Sequence, residues 1–379
     1  MHFLSRYLEE NKTFGGLAGL DTIELPSRGL LSGLLFKVWG SCGTGAADPD
    51  SWLWDRLTKV ELIVNGSQVV KSYSGEQILA HMFYQKTPLW SHDMKNNSGA
   101  SCEVFFHINL GRHYHDLEYL LDLSKVNDPQ IRLTYAFAQT SHHGWTNGTA
   151  MTATPSRSVI ADILVDTDIV PKGYIKTSEL YRFTSGVSKK ENMNIPTGPV
   201  YSNLYLQSWY ASQGLGVILD KLSLVLDSGG TIPFNMGPNE LAAYNLRQYG
   251  LFKMSQQLSA KGGQVYPMPV EQGRLINCTT GAIDARIATM DLWANYCSFP
   301  FRKDSDGVTA VTGNVNIIAD FEGIWPFSIA AIPGLDPWDE RFWLDTNKYG
   351  NVAVRVEETS SASTSLVLKL LGDEVVTRY

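Results

Sequence analysis

The segment HINLGRHYHDLE gathers His107, His113, His115, Asp116 and Glu118 within twelve residues. A metal ion needs imidazoles and carboxylates that converge on one point, and a His-x-His pair sets two imidazoles on the same face of a strand. A polar loop or a subunit-contact patch uses the same residue types without chemistry, and that plainer reading is preferred. His142 and His143 lie among turn formers in TSHHGWTNGT beside Trp145; they could bind a metal or a sugar, but the surrounding residues read as an exposed loop tip. KDSDG places Asp304 and Asp306 at the spacing of a calcium-loop fragment. The later bidentate Glu is missing, so a simple turn is favoured. DPWDERFW sets Asp336, Asp339 and Glu340 beside Trp338 and Trp343. A glycosidase cleft would show such carboxylates beside aromatics, yet the separation that defines a catalytic pair is not readable from sequence. The preferred reading is a protruding or interface loop with the two tryptophans as anchors. GxSxG, HExxH, Walker-type and strand-turn-helix GxGxxG motifs are absent from the sequence. No catalytic, cofactor-binding or metal residue is therefore assigned.

The composition narrows what could position these groups. The chain has 379 residues, of which 44% are hydrophobic, 11% aromatic and only 18% charged. That is enough for a large core, and the low charge leaves surface suited to being covered by a partner. A net charge of -7 excludes broad phosphate neutralisation of nucleic acid by Lys and Arg. The opening residues lack the apolar run of a signal peptide and no stretch approaches the length of a membrane span, so the chain is expected to be soluble and made inside the cell. Cys42, Cys102, Cys278 and Cys297 are widely spaced, which predicts free thiols rather than a disulfide framework or zinc ribbon.

Internal repetition governs the fold expectation. LPSRGLLSGLLFKVWG (25–40) and IPTGPVYSNLYLQSWY (195–210) align with Pro26 on Pro196, Ser32 on Ser202, Leu34 on Leu204 and Trp39 on Trp209. LTKVELIVNGSQVV (57–70) then aligns with LDKLSLVLDSGGTI (219–232), the separation falling from 170 to 162 through a shorter loop. At the same separation Gly75 meets Gly237, and the His-rich segment falls opposite EQGRLINCTTGAI, which has no His. QIRLTYAF (130–137) is matched with TMDLWANY (289–296), and VIADILVDTDI (159–169) with the later LVLKLLGDEVV (366–376). Two copies of one domain, the second carrying a long insertion, account for this order.

The segments within each copy are short, β-branched or aromatic, and separated by Gly, Asn, Asp and Pro, as in an all-β sandwich. In LTKVELIV strict alternation puts Leu57, Lys59 and Glu61 on one face and Val60, Leu62 and Val64 on the other, and Asn65-Gly66 supplies a tight hairpin. One helix per copy is expected, over 74–84 with Ser74 as N-cap and over 237–250 with Pro238 in its first turn and Gly250 as its stop. Phe3, Leu4, Tyr7 and Leu8 form an apolar stripe that predicts a short N-terminal helix. The expected organisation is a helical arm at 1–19, a first sandwich at 20–169, a linker at 170–194 in which SELYRFTSG is a short helix, and a second sandwich at 195–379 with its insertion at about 297–350.

Segments such as IELPSRGLLSGLLFKVWG followed by LTKVELIVNGSQVVKSYSGEQILAHMFY resemble the first strands of the double jelly-roll major capsid proteins of icosahedral, tailless viruses, over roughly residues 20 to 379. The resemblance implies an all-β fold of two tandem jelly rolls and a homotrimer whose six rolls form a pseudo-hexagonal tile in the virion shell. It also implies lattice contacts with itself, contacts with minor capsid or penton proteins, and an inward N-terminal helix near an internal membrane, with no enzyme activity and no cofactor. The acidic charge argues against sequence-specific nucleic-acid binding. Two other classes stay open. A two-domain β-sandwich hydrolase acting on glycans or glycopeptides would use DPWDERFW or the His cluster. A bicupin metalloenzyme would use the His-x-His pair, which resembles part of the cupin motif but lacks its Gly spacing, its later Glu and a second His set.

Overall fold

The computed structural model describes residues 1–41, 53–87, 93–94, 101–138, 153–209, 215–250, 253–259, 265–272, 288–290, 297–304, 310–317, 329–362, 364 and 367–377. The first half contains β1 (His2–Thr13), β2 (Ala18–Glu24), β3 (Leu30–Ser41), β4 (Leu57–Val64), β5 (Gln68–Tyr73), α1 (Gly75–Tyr84), β6 (Asp93–Met94), β7 (Ser101–Asn109), β8 (Leu121–Asp122), β9 (Gln130–Ala136) and β10 (Ser156–Val165). The second contains β11 (Tyr174–Thr184), β12 (Lys190–Ile195), β13 (Val200–Trp209), α2 (Leu215–Ile218), β14 (Leu219–Leu226), β15 (Thr231–Met236) and α3 (Pro238–Tyr249). There follow β16 (Lys253–Ser259), β17 (Val265–Gln272), β18 (Ala288–Met290), β19 (Cys297–Asp304), β20 (Ala310–Ile317), β21 (Ile329–Ala331), β22 (Leu344–Asp345), β23 (Val352–Glu358) and β24 (Val367–Val376).

Each half is a sandwich of two sheets with the same strand order. In the first, β1-β10-β3-β7-β6 opposes β2-β9-β4-β5; in the second, β11-β24-β13-β21 opposes β12-β23-β14-β15. The duplication extends to backbone irregularities. β4 and β14 both shift register at their second residue, between Leu57 and Lys59 and between Leu219 and Lys221. Such a bulge re-aims one side chain. It turns Leu57 into the core with Val60, Leu62 and Val64, correcting the strict alternation expected from sequence. The Asn65-Gly66 hairpin has φ of 53° and 78°, as its residue types predict.

Two expected helices are strands. Residues 1–13 form β1, paired with β10 from His2↔Val165 to Thr13↔Ser156. Pairing along the ten-residue edge of β10 supplies backbone hydrogen bonds that override a short 3.6-residue pattern. Likewise the tract 170–194 is no linker and SELYRFTSG no helix, because β11 and β12 are the second copies of β1 and β2. β11 lies between β24, to which it is antiparallel, and β5 of the first half, to which it is parallel with Thr177 opposite Lys71. This pairing joins the halves into a nine-stranded sheet in the order β2-β9-β4-β5-β11-β24-β13-β21, with β22 beside β13. A single apolar cluster runs from Phe36 and Phe106 in one half to Leu204 and Leu370 in the other.

The join leaves little room. Gly173, just before β11, has φ of 155°, and a Cβ there would lie 1.9 Å from the carbonyl oxygen of Val376. Its backbone bridges to Tyr119 of the first half. α1 has the expected N-cap, with Ser74 and Gln77 forming a reciprocal capping box. Every residue of α1 is buried, although the sequence shows only one apolar face, because the second half covers its other side. α3, its counterpart, keeps an exposed side at Asn239, Glu240, Ala243 and Arg247.

Strand registers relocate the extra length. Leu121 pairs with Leu31 as Leu344 pairs with Tyr201, and Leu62 faces Ile131 as Leu224 faces Val354. Both comparisons separate the copies by 223 positions, so β9 corresponds to β23. The match of QIRLTYAF to TMDLWANY was a chance likeness. The insertion falls between α3 and β21, carrying the pairs β16–β17 and β19–β20; it overlaps the expected 297–350 but begins well before 297 and ends before β21.

Candidate functional site

At that separation HYHDLEYL (113–120) and DPWDERFW (336–343) occupy the same place in the two halves. The two richest polar motifs are thus copies of one turn, and neither belongs to the insertion. Asp116 accepts the backbone N–H of Glu118 at 2.9 Å, and Asp339 accepts that of Arg341 at 3.0 Å. These are Asx turns, which the short carboxylate supplies in both copies. Just beyond, Asp122 and Asp345 each cap a 3-10 turn by accepting from Ser124 and Asn347.

The structure brings these turns together across the seam. Glu340 accepts from Lys172 Nζ at 2.9 Å and from the Tyr119 hydroxyl at 3.0 Å, and lies 3.6 Å from Arg112 Nη1. Arg112 also donates to Asp116 through Nε at 2.7 Å and Nη2 at 3.0 Å, and to Glu118 at 2.5 Å. The Tyr119 ring meets Trp343 edge-on at 5.5 Å, and the Arg112 guanidinium lies 4.9 Å from its centroid. Trp338 packs on Tyr249 and under Lys86 Nζ, 4.0 Å from the ring centroid. Both tryptophans therefore anchor contacts inside the chain, as interface residues between its halves. The Lys172 hydrogen bond holds the Glu340 carboxyl below its usual range. Burial pushes Asp116 up, but hydrogen bonds from the Arg112 side chain and from the Glu118 and Arg112 backbone outweigh it and hold it low. These carboxylates are fixed as anions that clamp cations and turn amides. A catalytic pair would instead need one carboxyl held protonated.

A second constellation crosses four adjacent strands of the joined sheet, and sequence reasoning missed it. Lys71 Nζ on β5 donates to Thr177 Oγ1 on β11 at 3.0 Å, and Thr177 donates to Asp373 Oδ1 on β24 at 2.5 Å. Tyr205 on β13 donates to Asp373 Oδ2 at 3.0 Å, and Tyr73 donates to Thr177 at 2.9 Å. His81 of α1 covers the row, with Nδ1 3.6 Å from Asp373 and its ring 4.8 Å from Tyr73 and 4.5 Å from Tyr205. Burial lowers Lys71 to about 8 against the pull of Asp373. It lowers His81 to about 4, Asp373 again opposing. The signal in the sequence was a charge inside each apolar run, in QVVKSY and in VLKLLGDEVV.

Asp162, the β10 counterpart of Asp373, accepts from Ser5 at 2.5 Å and lies 3.6 Å from His107 Nε2. His115 stacks between Phe3 and Tyr114, each 3.7 Å away. His113 turns aside to the Tyr114 carbonyl, 3.0 Å from its Nδ1. Among the described residues no group of three or more His, Cys, Asp and Glu is placed to hold a metal. His142, His143, Asp306 and the side chain of Asp304 lie outside the described residues. Among those described, no helix is long and apolar enough to cross a membrane.

Solved structures match the chain over nearly its whole length. The crystal structure of the major capsid protein of Sulfolobus turreted icosahedral virus aligns with a TM-score of 0.58 at 11% identity, covering 99% of this chain and 97% of that one. The alignment spans both sandwiches. This chain is a double jelly roll. The PBCV-1 virus capsid structure aligns with the same double jelly roll at a TM-score of 0.54 and 11% identity, over 98% of this chain and 92% of that one. For the major capsid protein of bacteriophage PM2 the values are 0.50 and 12%, over 98% of each chain. No family model and no curated protein sequence matches. At such identities the double jelly roll is shared as a fold.

Proposed function

We propose that this chain is the major capsid protein of an icosahedral virus, a building block that binds copies of itself and carries no catalytic site. The observation that carries the reading is the fusion of two like rolls, side by side, through one continuous sheet. Such a block supplies two similar wedges, so three chains supply the six a hexagonal lattice position takes. Matches to viral capsid structures along 98–99% of the chain support the same reading. In the virion the trimer meets further copies and minor or penton proteins. The N-terminal segment is tied into β1, so it does not serve as a free membrane-seeking helix. The engagement of Asp336, Asp339 and Glu340 in turns and ion pairs weighs against a hydrolase.

Light scattering on the purified protein tests the proposal. A particle of three times 42.1 kDa, hexagonal in negative-stain images, is expected. A stable monomer that hydrolyses glycans or takes up stoichiometric zinc overturns it.

A further inference from the structure

Three side chains of the His-rich segment, His107, Tyr114 and His115, close on β1. A register shift at Leu8 divides that strand into two parts with different fastenings. Residues 9–13 are held from inside the sandwich. Arg157, only 1% exposed, donates through Nε to Glu9 at 2.6 Å, and the Asn11 N–H donates to Ser158 Oγ at 2.9 Å. Residues 2–7 lie on the open edge of the six-stranded sheet and are held by titratable groups. Ser5 donates to Asp162 at 2.5 Å, Phe3 stacks on the His115 ring at 3.7 Å, and His2 lies 3.6 Å from Asp166.

The fastening is a row of rings. His115 is held at a φ of 58°, where non-glycine residues seldom sit, and its ring lies between Phe3 and Tyr114. Tyr114 meets His107 edge-on at 4.9 Å, and His107 Nε2 stands 3.6 Å from Asp162 Oδ2, past hydrogen-bond reach. Both ring nitrogens of His107 and the Nε2 of His115 are buried without a hydrogen-bond partner. Room for His107 comes from Gly33, where a Cβ would lie 2.7 Å from its Cε1. A buried imidazole without a partner favours the neutral ring. The sequence of the strand adds a second sign. Phe3, Leu4, Tyr7 and Leu8 follow a helical spacing that pairing with β10 overrides. A segment whose local preference disagrees with its place in the fold depends on its tertiary contacts, and it leaves when those weaken.

We propose that residues 2–7 form a proton-released strap: acid undoes the stack of Phe3 on His115, the strap swings out about Leu8, and the rest of the sandwich stays folded. Burial lowers the His115 pKa from its usual 6.5, with Asp162 opposing the shift and His107 adding to it. Its contribution to docking is therefore complete above pH 6.5 and is lost as pH falls through the lowered value. Burial pushes Asp162 up, but His107 and Ser5 outweigh it and hold it low, so the Ser5 fastening yields only in stronger acid. His2, Tyr114 and Asp166 are the other titratable groups around the stack. Departure of Phe3 uncovers Leu30, Leu120 and Leu164. The strap does not depend on the capsid reading; in a shell built of this chain, acid becomes the signal that frees the strand in every copy.

Hydrogen exchange read by mass spectrometry on the full chain, corrected for the intrinsic pH dependence of exchange, compares pH 7.5 with pH 5. Protection over residues 2–7 should fall at least about tenfold in acid, while residues 9–13, 30–41 and 57–64 keep theirs. His115→Phe leaves a ring in the stack that cannot take a proton, and its protection over 2–7 should change less than about twofold. Asp162→Asn removes the charge that steadies a protonated His115 and should enlarge the release. Unchanged protection over 2–7 in the unaltered protein, or a loss spread evenly over all peptides, overturns the strap whatever the variants do. Release that persists in folded His115→Phe overturns it as well. Particle size is read separately, so none of these outcomes touches the capsid proposal.

Discussion

His81 shows how one buried side chain sets the acid limit of the molecule. Its folded pKa is depressed to about 4 from 6.5, so the unfolded chain takes the proton first. Its contribution is complete above pH 6.5 and is lost as pH falls toward 4, a change of about 3 kcal/mol at roughly 1.4 kcal/mol per unit. Asp373, Lys71, Tyr73 and Tyr205 face it; Asp373 resists the shift and Lys71 adds to it. Urea midpoints measured from pH 7 to pH 4.5 should fall steeply in the unaltered protein, and His81→Leu should flatten the lower part of that curve. An unchanged slope would remove His81 from the account.

Elements differ in how openly their letters announce them. Ser74 reads as an N-cap because the cap is a local device, satisfied within four residues. Ser74→Ala should accordingly cost about 1 kcal/mol, seen as a lower thermal midpoint with no change in oligomer size. β1 and β11 were not legible, since their strand state comes from partners more than 140 residues away or on another roll. The repeat was legible through β3, β4 and their counterparts, where both copies bury the same face. Beyond α3 it misled, because a long insertion had moved the true partner of β9 while TMDLWANY offered a similar apolar rhythm. The polar turns at 113 and 336 share Asp116 and Asp339 but few other letters. Only the strand registers on either side reveal them as one feature, and their meeting across the seam is a product of tertiary packing.

The molecule as a whole should unfold as one body. A shared sheet and a shared core mean that separating the rolls exposes the side of α1 that the second half covers and leaves Lys71 without Thr177. Calorimetry on the full chain should therefore show a single transition, and residues 1–169 alone should aggregate or stay unfolded. Two resolved transitions would mean that the seam is weaker than its buried network implies. The position of β24 adds a constraint in time. It is the final strand in chain order, yet it lies between β11 and β13 in the middle of the joined sheet. At about 5–20 residues per second on the ribosome, the roughly 160 residues between β13 and β24 take about 8–32 s to emerge. Throughout that interval β11 and β13 have no strand between them. The nascent chain must spend this time shielded by chaperones or risk pairing with its neighbours on the same messenger.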